Sequence, residues 1–528
     1  MVRGTHRTPS PIVPGGNRLV SAPDKSGRLT ALLTFVMILI LAAAVRSVLV
    51  AGAVSVSRDA ARHYLPQART VQEGLSGEAF NPGIPPLYPV LAGLLARTIG
   101  DVELACRLIS VAAGLLAVTF VFLLGRRLGG DWAGVLSAAL LAVHPYQCRF
   151  SAEVGPDMLA AALVVTVALC LVEYLRRPTW LTAVAIAVVL ALLSLSRPEA
   201  FAYAVPTMLI MVLFPLAGRF RLELRRALHV GLLLGLLLLL CLPRLLWVYQ
   251  RTHTWAIDVR QVTWPARLWQ AVTDGSFHYG QMAVWQRAGL AGVSDSLESL
   301  VASLGPVALV LGIYAIWRRP ACVRSRLLWV PGLFILFGIL LVLVGNRLSK
   351  RYLLAAGALW QLWGGAGLAV LAELVVSRIR SPRAKARRIA LAGLVAAGLC
   401  VTQLPWAIVP LKASRRSERA LGEWIRQNLG AGQRIMSRDP ISTWYAQACQ
   451  IRWLSMRYPK LWSRKLVTYA RDHDVRLVVF DADFRDAYPA ISAEITEGAR
   501  PYGPVLHQVQ DERGTLTLVQ LHLPPGGP

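Results

Sequence analysis

The chain has 528 residues, of which 55% are hydrophobic, and it carries a net charge of +27 at pH 7 with a mean hydropathy of +0.50. A soluble domain of this size needs no such apolar content, and the Lys and Arg residues sit in short clusters between apolar runs, which excludes a nucleic-acid-binding stripe and points to membrane topology. The 7 cysteines show neither CxxC nor Cys/His spacing, so no disulfide framework and no zinc site is read from them.

Residues 1–28 are polar and rich in Pro, Gly and Arg, and are expected to form a disordered cytoplasmic arm. The apolar run that follows, 29–54, is longer than a signal-peptide core of roughly 7–15 residues, so it reads as an uncleaved first span. Runs of about 18 or more apolar residues cross a bilayer as helices. Leu228 to Leu242, almost wholly Leu, Gly and Val, is the plainest example. About eleven spans are expected, at 29–53, 104–125, 132–150, 157–175, 180–196, 199–217, 227–249, 299–317, 327–345, 351–376 and 389–410.

The basic clusters then test the topology. They are the N-terminal arm, Arg126-Arg127, Arg176-Arg177, Arg219 to Arg226, Arg318 to Arg326 and Arg378 to Arg388. All fall on one side if the spans alternate, and that side is expected to be cytoplasmic, where cations also meet anionic lipid. The other side receives a long first loop (54–103), short turns near 150–157 and 196–199, a second long loop (250–298) and the tail. The second loop carries Trp255, Trp264, Trp269, Phe277, Tyr279 and Trp285, residues suited to a membrane interface. In the tail, helix signals (Ser417 to Leu429, Leu461 to His473) alternate with short β-type runs (Arg434 to Met436, Val475 to Phe480, Leu516 to Leu521). The fold class expected is an all-α polytopic membrane protein of about eleven transmembrane helices with a small C-terminal soluble α/β domain. Its divisions are 1–28, 29–410 (membrane domain) and 411–528 (soluble domain).

Ionisable residues at the non-cytoplasmic side are the candidates for chemistry. Asp59, in Ser57-Arg58-Asp59-Ala60-Ala61-Arg62-His63-Tyr64, lies just beyond the first span. An acid there is ordinarily a solvated loop residue, but a group transfer to a hydroxyl or amine needs a carboxylate to accept the proton. Asn81-Pro82-Gly83-Ile84-Pro85-Pro86-Leu87-Tyr88-Pro89 reads as a rigid turn. Glu153 and Asp157 flank Gly155-Pro156 at the start of the fourth span, where an acid is also an ordinary helix-start signal. Arg197-Pro198-Glu199 joins two spans and sets a cation beside an acid at membrane depth. Arg347, Lys350 and Arg351 crowd a short loop against the positive-inside tendency, as a site for a departing phosphate requires.

Taken together, these residues resemble the GT-C type of membrane glycosyltransferase. The likeness is to the branch holding the protein O-mannosyltransferases and the aminoarabinose transferase of lipid A. The segments that carry it are Asp59 and Tyr64; Pro85-Pro86-Leu87-Tyr88-Pro89; Arg107-Leu108-Ile109-Ser110 through Gly125-Arg126-Arg127-Leu128-Gly129; Asp157; Arg197-Pro198-Glu199; and Lys350-Arg351-Tyr352-Leu353-Leu354. Their order and spacing carry the resemblance rather than any single motif. It implies two helices in the first loop, a polyprenyl-phosphate sugar donor and inversion at the anomeric carbon. It also implies Asp59 as general base, the Lys350-Arg351 cluster as holder of the lipid phosphate, and Asp157 as a second site acid. The family often has Asp-Glu where this chain has Asp59-Ala60, and His or Lys where it has Ile84. The role of a second acid would then fall to Glu78, to Glu153 or to no residue.

The expected function is transfer of a sugar from a polyprenyl-phosphate carrier to an extracytoplasmic acceptor (protein, lipid or cell-envelope glycan). The expected partners are that lipid-linked sugar, the acceptor and membrane lipid, with no nucleic acid, no metal ligand set and no resident cofactor. The site would face outward from a bacterial-type inner membrane. A transporter or flippase of a lipid-linked sugar would use the same cations and acids without catalysis, and a scaffold presenting the tail would need neither. Transporters show internal repeats and midplane polar residues; this sequence shows no repeat, and its ionisable residues gather at one face, which favours the enzyme.

Overall fold

The computed structural model describes residues 25–74, 80–213, 224–256, 297–318, 320, 323, 325–344, 350–377, 398, 401–437, 439–452, 468–480, 493, 502–511 and 514–521. Helices α1 (Lys25–Ala51), α2 (Leu65–Gln72), α3 (Leu87–Ile99), α4 (Val102–Gly129), α5 (Asp131–Ala142), α6 (Pro145–Ala152), α7 (Asp157–Arg176), α8 (Trp180–Ser196), α9 (Ala204–Leu213) and α10 (Leu224–Thr252) form the first part of a helical bundle. It continues with α11 (Leu297–Leu304), α12 (Pro306–Arg318), α13 (Trp329–Val344) and α14 (Leu354–Ser377).

Among the described residues, Gly27–Ala51, Val102–Gly129, Asp157–Arg176, Leu224–Thr252 and Arg351–Leu374 are long and apolar enough to cross a membrane, and α11 with α12 makes a further span if the bent pair is one. The apolar side chains of α1 and α10 bear this out. Leu33, Met37, Ile40, Leu238 and Leu239 are exposed, which water disfavours and lipid does not.

The third and eighth expected spans differ from single helices, and proline explains both. Pro145 lacks an N–H and forces His144 into extended backbone (φ −62°, ψ 119°), so 132–150 divides into α5 and α6. Gly305 with φ +83° and Pro306 bend the eighth by 80°. Of the eleventh, 389–410, half lies outside the described residues, and 401–407 is helical.

Close backbone approach packs the bundle. A Cβ on Gly367 of α14 would lie 2.0 Å from Leu311 O of α12, and one on Gly365 would lie 2.3 Å from Ser137 Oγ of α5. Between helices in lipid, where apolar transfer gives no drive, such small residues let dispersion do the packing. α14 thereby becomes the buried centre, touching α5, α7, α12 and α13.

The ends of the bundle differ chemically. At one end Arg126 pairs with Asp131 (2.6 Å) and Arg127 with Glu173 (3.4 Å), and Tyr174 meets His229 (3.0 Å). Arg176 also donates to Arg127 O here, so two of the arginine clusters read from the sequence, Arg126-Arg127 and Arg176-Arg177, meet at this end, while 378–388 lies outside the described residues. At the other end lie the first-loop helices α2 and α3, as the resemblance implies.

The tail packs on that second end. Helices α15 (Arg416–Leu429) and α16 (Pro440–Tyr445) accompany strands β1 (Arg434–Ser437), β2 (Cys449–Arg452), β3 (Leu477–Phe480), β4 (Tyr502–Asp511) and β5 (Gly514–Leu521). The sheet order is β2-β1-β3-β5-β4. β1 runs parallel to β2 and β3, and β5 runs antiparallel to β3 and β4. Leu421 and Ile425 of α15 pack with Ile435, Leu477 and Leu518 as its core. The helix expected at Leu461 to His473 is described only from 468. β2 and β4 go beyond the strands read from the sequence.

Candidate active site

Asp59 is set by the way the chain leaves α1. After α1 and a turn at Gly52 the chain takes no regular structure through Ser57, then turns helical at Arg58 and Asp59. Ser57 nucleates this turn: its Oγ accepts from Ala60 N–H (3.2 Å) and its carbonyl from Ala61 N–H (3.0 Å). Ala60–Tyr64 then forms a π turn before α2 begins. Such wide turns are rare and recur at functional sites, because they rotate a side chain away from its ordinary helical direction.

Asp157 arrives from a different element. It is the first residue of α7, and the peptide before it is pinned on both sides. Gly155 N–H donates to Tyr88 Oη (2.9 Å), and Ser110 Oγ donates to Gly155 O (3.2 Å). Tyr88, fully buried, donates its own hydroxyl to Cys106 O (2.8 Å). Tyr64 packs edge-on against the Tyr88 ring, centroids 5.7 Å apart. The two tyrosines thus buttress the α3–α4 corner on which Asp157 rests. Tyr88→Phe is expected to lower stability by about 1–3 kcal/mol, because Gly155 N–H loses its partner in a dry place. Thermal unfolding in detergent measures this, and an unchanged midpoint would contradict the buttress.

Arg197 is extended (φ −146°, ψ 141°), as the residue before Pro198 must be. Its Nη1 donates to Asp157 Oδ1 (2.5 Å). The guanidinium lies 4.5 Å from the centroid of Tyr352. Arg351 lies 5.0 Å from the same ring, donates to Tyr352 Oη (3.2 Å), and donates through Nη1 to Asp59 Oδ2 (2.7 Å). The site is therefore one connected series: Asp157, Arg197, Tyr352, Arg351, Asp59. Residues separated by 292 positions meet in it. Cations over an aromatic face gain from its quadrupole, and the gain rises as water is excluded.

Asp59 and Asp157 differ in exposure. The Asp59 side chain is 51% exposed, whereas that of Asp157 is 16% exposed. Partial burial pushes the Asp59 carboxyl up. The hydrogen bond and charge of Arg351, joined by the charges of His63 and Arg62, outweigh that and leave it below the ordinary carboxylate value. Asp59 is thus ionised, partly open to water and already in contact with a cation.

The structure brings together Asp59, Asp157, Arg197 and Arg351 of the sequence candidates. Glu153 is engaged elsewhere, by Lys412 Nζ (3.1 Å). It also ends α6 in extended backbone, so Glu153 and Asp157 do not share a helix face. Arg347 and Glu78 lie outside the described residues, as do the side chains of Lys350 and Glu199. Of the second-loop aromatics, Trp264, Trp269, Phe277, Tyr279 and Trp285 also lie outside them, while Trp255 stacks on Tyr249 (4.4 Å). Among the described residues no group of three or more His, Cys, Asp or Glu is placed to hold a metal ion. Tyr352 is the residue given no role from sequence; its signal was an Arg-Tyr pair opening a span. Arg244 is another. It is 7% exposed and donates to Pro82 O (3.0 Å) and Ile84 O (2.9 Å), fixing the proline turn.

Comparison with known proteins now bears on this geometry. A family model described as dolichyl-phosphate-mannose-protein mannosyltransferase matches residues 84–247, which include Tyr88, Asp157 and Arg197. A search of curated protein sequences returns no match. Among solved structures, the archaeal oligosaccharyltransferase AglB from Archaeoglobus fulgidus, in complex with an inhibitory peptide and a dolichol-phosphate, superposes with a TM-score of 0.61 at 14% identity, over 93% of this chain and 74% of that one. ArnT from Cupriavidus metallidurans bound to undecaprenyl phosphate superposes with a TM-score of 0.57 at 15% identity, over 94% and 98%. Its apo form gives 0.59 at 14% identity, again over 94% and 98%. The resemblance drawn from the sequence and the GT-C-type membrane fold it implies are borne out.

Proposed function

We propose that this protein moves a sugar from a polyprenyl-phosphate carrier to an acceptor on the extracytoplasmic side of the membrane, with inversion at the anomeric carbon. The observation that carries the reading is the contact of Arg351 with Asp59, next to Arg197 and Tyr352. A transfer of this kind develops two opposite needs within a few ångströms. The attacking oxygen or nitrogen must lose a proton, and the departing phosphate must gain a stabilising cation.

In this mechanism the acceptor reaches Asp59 through its exposed edge. The lipid phosphate competes for Arg351, a fork suited to phosphate as well as to carboxylate. As Arg351 turns to the phosphate, the Asp59 carboxylate is freed to take the acceptor's proton. The acceptor's lone pair forms the new bond to the anomeric carbon. The bond from that carbon to the phosphate oxygen breaks, its electron pair leaving with the lipid phosphate. Arg197 adds a second positive charge near the leaving group, with Lys350 and Arg347 as further donors. Asp157 holds the Arg197 fork in place.

The relatives support the donor class: the AglB and ArnT structures are described with dolichol-phosphate and undecaprenyl phosphate. Sidedness rests on Arg126, Arg127 and Arg176 at the opposite end of the bundle, which the positive-inside tendency places in the cytoplasm. The soluble tail, 411–528, would then lie outside with the site, and 29–410 would be the membrane domain.

The test is transfer in membranes holding the full chain, supplied with radiolabelled polyprenyl-phosphate sugars one at a time. Label is expected to move to an acceptor from one such donor. Binding of every lipid without any transfer, by folded protein, would replace the enzyme reading with lipid-linked sugar transport.

A further inference from the structure

The tail grips the bundle beside the base. Lys412 pairs with Glu153 (3.1 Å), Arg419 donates to Val54 O (3.0 Å), Tyr445 donates to Glu103 (3.2 Å), and Arg69 lies over Trp444 (4.2 Å). One contact differs from these in what it holds. Arg58, the residue immediately before Asp59, pairs through Nε with Asp439 Oδ2. Asp439 is a tail residue whose side chain is only 5% exposed. The same oxygen accepts from Arg415 Nη1 (3.1 Å). Its other oxygen caps α16 by accepting from Ile441 N–H (3.0 Å). A buried acid that accepts three hydrogen bonds, two of them from cations, is a fixed anchor rather than a solvated loop charge.

Arg58 and Asp59 are successive helical residues, and successive helical side chains do not face each other. Arg58 is turned to the tail and Asp59 to Arg351. Without its anchor, Arg58 has a flexible stem and a neighbouring carboxylate within reach.

We propose that Asp439 is a positioning residue for the transfer reaction, holding Arg58 away from Asp59 so that the base is left to Arg351 and the acceptor. The inference rests on the reading of Asp59 as the base. It makes the tail part of the site: the C-terminal domain keeps a competing cation off the proton acceptor. A second arginine on Asp59 would weaken it as a base and would not leave when the lipid phosphate arrives.

The experiment uses the full chain in membranes and compares Asp439→Asn, Arg58→Gln and the double variant with wild type. In Asp439→Asn the one remaining oxygen keeps the Ile441 N–H cap and the NH2 group faces Arg58 and Arg415, which lose their acceptor; kcat is expected to fall by about tenfold while KM for the donor stays within about twofold. Removing the freed cation in the double variant is expected to restore most of that loss, and Asp439→Glu, which keeps the acid, to lose less. A purely structural anchor would show no such rescue. Wild-type kcat in Asp439→Asn, or a double variant no better than it, overturns the proposal. If Asp439→Asn does not accumulate folded, Arg58→Gln decides alone through the acid limb of its pH profile. A limb within about 0.3 pH units of wild type is expected from a parked Arg58. An upward shift as large as that of Arg351→Gln would make Arg58 a partner of the base and overturn the proposal. Asp59→Asn runs beside these: full activity there removes the base reading, whereas the rescue is judged on its own numbers.

Discussion

Asp59→Asn is expected to lower sugar transfer by about 10²–10⁴-fold, the range a positioned proton acceptor contributes, with donor binding retained. The substitution keeps shape and removes only the charge. Asparagine still accepts a hydrogen bond from Arg351 through its amide oxygen, so the Arg351–Tyr352–Arg197 series keeps its geometry. Asp59 is half exposed and caps no helix with its side chain, so folding is little affected, and exposed ion pairs of this kind contribute little stability. A loss confined to kcat identifies an interaction made in the transition state. Radiolabel transfer at saturating donor measures it, together with binding of the lipid to the same preparation. Transfer at the wild-type rate would remove Asp59 from the chemistry and leave Asp157 as the acid to examine.

The parts of this site legible in the sequence share a physical reason, and so do the parts that were not. Apolar runs are local, periodic signals, so most of the helices could be read directly. Asp59, Asp157, Arg197 and Arg351 could be named because ionisable residues at membrane depth are costly and rarely idle. Their pairing could not. Arg351 meets Asp59 and Arg197 meets Asp157 across distances set by how α1, α7, α8 and α14 pack, which no periodicity records. Tyr352 shows the limit best: an aromatic at the start of an apolar span is ordinary in sequence, and only packing reveals it beneath two arginines. Asp439 was hidden similarly, since Asp-Pro reads as a helix start, which it also is. The breaks at Pro145 and Pro306 carried a local signal that the unbroken hydrophobic runs masked. β2 and β4 carried little; Tyr502–Asp511 includes Gly503, Pro504, His507 and Gln508 and lacks the β-branched run of Leu477–Phe480.

Arg351→Gln carries the second large effect, because one side chain serves both halves of the reaction. Loss of the cation that meets the departing phosphate is expected to lower kcat by about 10²–10³-fold. The same substitution moves the base. In the wild type the Asp59 carboxyl lies below its ordinary value because Arg351, Arg62 and His63 together outweigh burial. Without Arg351 the burial effect is opposed by the remaining two, and the carboxyl moves up. The acid limb of kcat/KM, which reports the free enzyme's base, is therefore expected to shift to higher pH. Stability follows the same linkage. A folded-state value below the unfolded one adds stability at pH above the unfolded value, and that contribution fades as pH falls through the folded value. With the Asp59 side chain 51% exposed, solvent screening keeps this contribution small, so the pH dependence of activity is the sharper readout. Arg351→Lys separates charge from shape: it restores the cation near Asp59, and with it the position of the acid limb, but not the two-pronged fork that grips a phosphate. A full return of kcat in the lysine variant would make Arg351 a point charge. A limb that stays in place in Arg351→Gln would mean that the 2.7 Å contact does not set the base, and the coupling of base and leaving-group cation would fail with it.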